Sequence, residues 1–339
     1  MRTMTIKIKA FEHSALIAVM LVVALLIFAV SLSPHASAQS DDQVGATTQA
    51  LRGEIITGFT GIVELKITFQ GILGEGSCTG AIIAPDAVLT AAHCFDHPDR
   101  KELFTGTISF NIYYHDPEVG RYSVYDGSAP VFLHKDYDPA RRPATAARAN
   151  ADVAIIKIPR VFSGTDYTDY LRLYADRKGP LKVALTAYGA GIHAHSGSQD
   201  DRLRKSLFNV ESVKKNHIVI DNRKTASLCK GDSGGPLIAS IPYKGGLIPT
   251  IAGVASGVET GLEGSNCASN DLGHDDAFFS RTNWEKLQSV MDDAQVTCTL
   301  FTDETLAYRR CFQLPFIESV DYEGLDQGVA TAIVTSAIR

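Results

Sequence analysis

Apolar positions along the chain come in short runs that alternate with polar residues or stay apolar for a few positions, then break at Gly, Asp or Pro. That is the pattern of half-buried and fully buried strands separated by turns. Ile62 to Phe69, Thr107 to Tyr114, Asp152 to Ile158, Lys182 to Ala187, His217 to Ile220 and Leu247 to Ala255 each read as a strand, and their succession predicts an all-β fold. One stretch departs from this. Asn283 to Asp293 sets Trp284, Leu287, Val290 and Met291 on one face at helical spacing, which predicts a single amphipathic helix late in the chain. No internal sequence repeat accompanies the strands.

The amino-terminal residues have a different character. Arg2, Lys7 and Lys9 give a basic head, Ala15 to Leu32 is almost wholly apolar, and Ala36-Ser37-Ala38 offers a small-residue cleavage site before Gln39. This predicts a secretory leader over residues 1–38, with an extracellular or periplasmic destination and no stable membrane anchor after cleavage. A membrane span is the competing reading, because the apolar stretch sits at the lower limit for crossing a bilayer. About 300 residues would remain, enough for a well-buried core. Loss of Arg2, Lys7, Lys9 and Glu12 with the leader takes the net charge from −6 to −8. An acidic, evenly mixed surface argues against nucleic acid as a partner. Asp96 to Glu102 and Asp200 to Lys205 read as solvated loops. The six cysteines suit an oxidising compartment. No Cys-x-x-Cys pair occurs, and His193 and His195 have no carboxylate placed to complete a site, so neither a metal nor another cofactor is expected.

The chemistry-bearing stretch is Cys229-Lys230-Gly231-Asp232-Ser233-Gly234-Gly235-Pro236-Leu237. A serine hydroxyl is a poor nucleophile unless a base takes its proton, so the segment matters only if a histidine and a carboxylate accompany it. Thr90-Ala91-Ala92-His93-Cys94 supplies the histidine and Asp152-Val153-Ala154-Ile155-Ile156 the aspartate. Each motif alone is weak: a Gly-Asp-Ser-Gly turn is common, a lone histidine more often packs, and Asp152 could simply begin a strand. Together, in the order His, Asp, Ser, they resemble the chymotrypsin/trypsin family of serine endopeptidases, over roughly Ile55 to Gln295. Ala81 to Thr90, Val131 to Tyr137, Ala187-Tyr188-Gly189 and Gly253-Val254-Ala255-Ser256 are similar to further segments of that family.

The resemblance implies two six-stranded antiparallel β-barrels with the site in the cleft between them, followed by a closing C-terminal helix. Ser233 would attack the scissile carbonyl, His93 would relay the proton, and Asp152 would fix the histidine tautomer. The N–H groups of Gly231 and Ser233 would form the oxyanion hole, and Ser256 would bond the buried aspartate. Cys78 would bridge Cys94, and Cys229 would bridge Cys267. Cys298 and Cys311 are left over and are close enough in sequence to bridge each other in a segment outside the family core. The expected organisation is a leader over 1–38, a propeptide or linker over 39–54, the protease domain over 55–295 and an extension over 296–339. Ser227, six residues before Ser233, would form the pocket floor where trypsin-like members carry an aspartate. With Val258 and Ala277 on the walls, the slot favours small or medium apolar side chains over Lys or Arg. Ile55-Ile56-Thr57-Gly58 resembles the family's mature start, so an activating protease cutting after Glu54 would free an Ile55 ammonium to insert beside Asp232. The expected partners are a protein or peptide substrate and that activator, with the enzyme a monomer. A protease-like peptide-binding protein without catalysis is the alternative, although the three motif residues are all present.

Overall fold

The computed structural model describes residues 54–56, 61–72, 75–97, 102–116, 120–140, 149–159, 171–175, 185–191, 202–221, 228–243, 246–258, 276–302 and 307–312. All fall within one compact unit, Thr48–Arg339. The leader, the linker before Glu54, Ser227, Cys267 and residues 313–339 of the extension lie outside these residues.

Two curled sheets carry the fold. The first has seven strands: β2 (Ile62–Phe69), β3 (Glu75–Ala84), β4 (Ala87–Thr90), β5 (Ile108–Asp116), β6 (Gly120–Ser128), β7 (Val131–Leu133) and β8 (Ala154–Lys157). Their spatial order is β6-β5-β2-β3-β4-β8-β7. The second has eleven strands: β1 (Glu54–Ile55), β9 (Arg172–Tyr174), β10 (Leu185–Gly189), β11 (Arg204–Phe208), β12 (Val210–Val213), β13 (His217–Asp221), β14 (Pro236–Tyr243), β15 (Gly246–Val258), β16 (Asp276–Arg281), β17 (Thr297–Thr302) and β18 (Ala307–Phe312). Among the described residues every pairing is antiparallel except β9 with β15. This is the chymotrypsin-like double-barrel architecture, enlarged in the second half by short strands that sequence pattern alone does not reveal.

The strands form where apolar residues alternate or run unbroken. In β10 the order of burial is buried, half-buried, buried, half-buried, buried, as one covered face demands, whereas the last seven residues of β3 are buried on both faces. One core gathers Leu65, Ile82, Leu89, Phe110 and Ile155, and a second gathers Leu185, Phe208, Leu237 and Phe279. The helix α1 (Trp284–Asp293) buries Leu287, Val290 and Met291 in the first of these cores. Two polar runs expected in solvent are partly interior. Asp96 is buried and accepts the Tyr137 hydroxyl at 2.8 Å, and Arg204 is buried in β11 between β10 and β1.

Register brings the chemistry together. Thr90 at the end of β4 pairs with Ala154 at the start of β8, so His93 and Asp152, just beyond those ends, are set side by side. Likewise Pro236 at the start of β14 pairs with Val254 in β15, which sets Ser233 beside Ser256. The segment after Gln295, expected to extend beyond the core, begins with a hairpin that completes the second sheet. In it β17 pairs with β18, β18 pairs with β9 through Tyr308↔Tyr174 and Arg309↔Leu173, and the Arg309 guanidinium stacks 3.8 Å over the Trp284 ring. The Cys298–Cys311 disulfide staples directly opposed residues of this hairpin. Replacing both cysteines by alanine is expected to lower stability by about 3 kcal/mol, the chain-entropy value for so short a loop, as read by urea unfolding. An unchanged midpoint would show that sheet pairing and the Arg309–Trp284 stack hold the hairpin unaided.

Candidate active site

His93 lies in a single 3₁₀ turn, Ala92–Phe95, entered directly from β4. The Cys78–Cys94 disulfide ties this turn to β3, with an S–S distance of 2.02 Å. Asp152 is fully buried, and its carboxylate is met from three directions. Oδ1 accepts the His93 backbone N–H at 2.8 Å, while Oδ2 lies 2.7 Å from His93 Nδ1 and accepts the Ser256 hydroxyl at 2.5 Å. Because an ionised carboxylate only accepts, Nδ1 carries the proton, and Nε2 is left with a lone pair. His93 itself is half-buried.

Ser233 is half-buried at the head of the loop that leads into β14. Its carbonyl accepts the Thr79 N–H at 2.7 Å and lies 4.0 Å from Cys94 Sγ, which fixes the serine backbone next to the histidine turn. Among the described residues neither the Gly231 N–H nor the Ser233 N–H has an acceptor. Two unengaged donors beside a serine are what an oxyanion site requires. Gly231 has φ +100 and Gly234 φ +83, values that side chains rarely adopt. A methyl group on Gly234 would also collide with Thr90 Oγ1 and Thr79 O.

Asp232 points away from the cleft. It is buried, with Oδ1 accepting Gly191 N–H at 2.9 Å and Oδ2 accepting Cys229 N–H at 2.8 Å. Burial pushes its pKa up to about 7, against the two N–H groups and the Arg204 charge that pull it down. Ile55 is not beside it: in the uncleaved chain Ile55 is a β1 residue paired with Arg204 and 40% exposed. Val258 and Ala277 are cross-strand partners of β15 and β16, with Ala277 fully buried and Val258 partly buried against the second core. Cys229 is disulfide-bonded.

A residue that sequence reasoning left aside stands behind Asp152. Lys286, on α1 at the flank of the apolar stripe, is buried and donates from Nζ to Ala149 O and Asn216 O, both at 3.3 Å. Ser280 Oγ donates to the same Ala149 carbonyl at 2.6 Å. The segment that carries Asp152 is thereby pinned to α1 and β16. Burial drives Lys286 down to about 7, with the Asp152 charge acting in the opposite direction. His134 is buried one strand away; burial and then Lys286 lower its pKa, so its ring is kept neutral and accepts the Asp136 N–H at 3.1 Å.

Two curled antiparallel sheets that bring a buried aspartate, a histidine and a half-exposed serine into one place define the double-barrel class of serine hydrolases. The trypsin family profile matches residues 61–272, more than half of the chain. The chain therefore belongs to the trypsin family. Its relatives include the serine protease Hayan of Drosophila melanogaster, 26% identical over 209 residues, which are 53% of this chain and 30% of that protein. The venom peptide isomerase heavy chain of Agelenopsis aperta is 26% identical over 206 residues, 55% of this chain and 79% of that one. A trypsin of Sarcophaga bullata is 25% identical over 221 residues, 58% of this chain and 78% of that one.

The Asp232 carboxyl gives a prediction with a definite sign. Its pKa is raised on folding from 3.8 to about 7, so the folded state holds more protons in that window, and stability falls as pH rises through it. Asp232→Asn cannot ionise. The difference in unfolding free energy between wild type and this variant should therefore shrink as pH goes from about 4 to about 7, measured by urea titration at several pH values. A constant difference would mean that Asp232 is ionised in the fold throughout.

Proposed function

We propose that the chain is a secreted serine endopeptidase that cuts protein or peptide substrates through an acyl-enzyme, with His93, Asp152 and Ser233 as the triad. The carrying observation is the Asp152 carboxylate, fully buried and holding His93 Nδ1 at 2.7 Å, with Ser256 as a further donor. On this reading His93 Nε2 takes the Ser233 proton as Oγ bonds to the carbonyl carbon. The developing oxyanion is met by the Gly231 and Ser233 N–H groups, and the same proton passes to the leaving amine as the C–N bond breaks. Water, deprotonated by His93, then releases the acid and restores Ser233. Asp152 stays ionised and stabilises the imidazolium.

Substrate choice is assigned to Ser227, Val258 and Ala277. Without a carboxylate at Ser227, a Lys or Arg head group would be desolvated and unpaired, which costs several kcal/mol. Ala, Val or Leu needs only apolar contact. Activation by a cut after Glu54 would require β1 to leave β11, breaking the Glu54↔Lys205 and Ile55↔Arg204 pairs and moving Ile55 away from Glu54, whose carboxylate lies 3.2 Å from Lys205 Nζ. The freed ammonium would neutralise Asp232, whose buried charge is unfavourable alone.

Ser233→Ala and His93→Ala should each lower kcat/KM by more than about a thousandfold while leaving the chain folded, with thermal unfolding unchanged for Ser233→Ala and lowered for His93→Ala, which takes a donor from the buried Asp152 carboxylate. Residual turnover within tenfold of wild type would overturn the mechanism. Binding of peptide without any cleavage by wild type would instead favour the binding-protein alternative. Digestion of a peptide library, read by mass spectrometry, should show cleavage after Ala, Val or Leu ahead of Lys or Arg, and Val258→Gly should improve Phe and Tyr. Dominance of Lys and Arg would refute the pocket assignment.

A further inference from the structure

Thr79 is fully buried at the point where β3 meets the nucleophile loop, and nothing in the triad chemistry calls on its side chain. Its hydroxyl donates to the Gly231 carbonyl at 2.8 Å and accepts the Ala190 N–H at 3.1 Å. The direction of the hydroxyl proton is thus set: an oxygen already accepting from Ala190 turns its own hydrogen to Gly231. Gly191, the next residue, gives its N–H to Asp232 at 2.9 Å. The Thr79 backbone adds a third tie, its N–H donating to Ser233 O at 2.7 Å. Its carbonyl is held in turn by Thr90 Oγ1 at 2.8 Å.

We propose that Thr79 is a positioning residue of the oxyanion site, its hydroxyl locking the Gly231–Asp232 peptide so that the Gly231 N–H faces the reacting carbonyl. The inference rests on the peptidase reading above. The peptide plane between Gly231 and Asp232 is gripped at both edges, the carbonyl by Thr79 Oγ1 and the N–H by Cys229 O at 2.9 Å. Gly231 is a glycine at φ +100, free of any Cβ that would hold its conformation. Those two hydrogen bonds oppose rotation of that plane. Without the Thr79 hydroxyl, the Gly231 carbonyl and the Ala190 N–H both lose a buried partner, and the plane can turn to find another. The Gly231 N–H belongs to the preceding peptide and meets this plane at the Gly231 Cα, so a turn that shifts that Cα carries the N–H off the position where the oxyanion forms. The Ser233 backbone, held independently by Thr79 N–H, keeps the nucleophile in place.

The effect therefore falls on the transition state and not on substrate binding. The test uses wild type, Thr79→Val, Thr79→Ser and Ser233→Ala: untreated enzyme is assayed on one peptide substrate, and active sites are counted on a separate aliquot with a serine-directed phosphonate, with Ser233→Ala, which cannot be labelled, compared at equal protein concentration. Per titrated site, Thr79→Val is expected to lose about ten- to a hundredfold in kcat with KM within about twofold, while Thr79→Ser stays within about threefold of wild type. A kcat for Thr79→Val equal to wild type overturns the inference. So does a loss in Thr79→Ser as deep as in Thr79→Val, because Ser keeps the hydroxyl and the effect would then follow side-chain packing at the site. If Thr79→Val does not accumulate as folded protein, Thr79→Ala is read against Thr79→Ser by the same criteria. Hydrolysis by wild type that Ser233→Ala lacks upholds the peptidase reading whatever Thr79 does, whereas a wild type that hydrolyses nothing overturns both.

Discussion

A carboxylate with no access to water is the constraint around which the site is arranged. Asp152 is fully buried, and an ionised group there is tolerable only if its oxygens are met by donors. Three donor groups from two places in the chain do so: the His93 backbone, the His93 ring and the Ser256 hydroxyl. Two are delivered by β4 of the first sheet and one by β15 of the second, so satisfying one side chain fixes how the histidine turn meets the strand beside the nucleophile loop. The orientation of the imidazole follows from that accounting, and so does the lone pair on Nε2 that the chemistry needs.

The nucleophile loop obeys a second constraint, close approach. Ser233 O reaches Thr79 N–H, and Gly191 presses on Asp232 and Gly231 so tightly that a methyl group on any of these glycines would overlap backbone. The glycines around Ser233 are thus set by distance to the neighbouring strand as well as by their dihedral angles. In the same loop Asp232 faces inward, where burial raises its pKa while two peptide N–H groups oppose that rise. The loop holds one acid that must be neutral or paired next to a serine that must stay open to the cleft.

Support for the aspartate extends outward to α1. Lys286 and Ser280 share the Ala149 carbonyl, three residues before Asp152, and the Lys286 ammonium also reaches Asn216 O at the turn before β13. The hairpin of β17 and β18 then closes over α1 through the Arg309–Trp284 stack and over β9 through backbone pairing. The described residues after Gln295, 296–302 and 307–312, are in this way continuous with the second sheet.

Local features are legible along the chain. The strands from Ile62, His217 and Leu247 and the helix from Trp284 are written in the period of their apolar residues, and the structure has them with ends moved by a few positions. The three chemical motifs are equally local, since each is a short string whose glycines and alanines answer to a turn. Which polar residues become interior depends on the packing of distant segments. Asp96, Arg204, Thr79 and Lys286 sit in stretches whose composition suits a solvated surface or gives no signal, yet all four are buried, because partners far along the chain, or the pairing of distant strands, take the place of water. The short strands β1, β9, β17 and β18 were invisible for the same reason: a strand of two or three residues has no period to read, and an exposed hairpin owes its place to the sheet edge it meets. A sequence records the alternation of a strand with itself; which strand it pairs with, and which buried oxygen a distant hydroxyl reaches, depend on the packing of the whole chain.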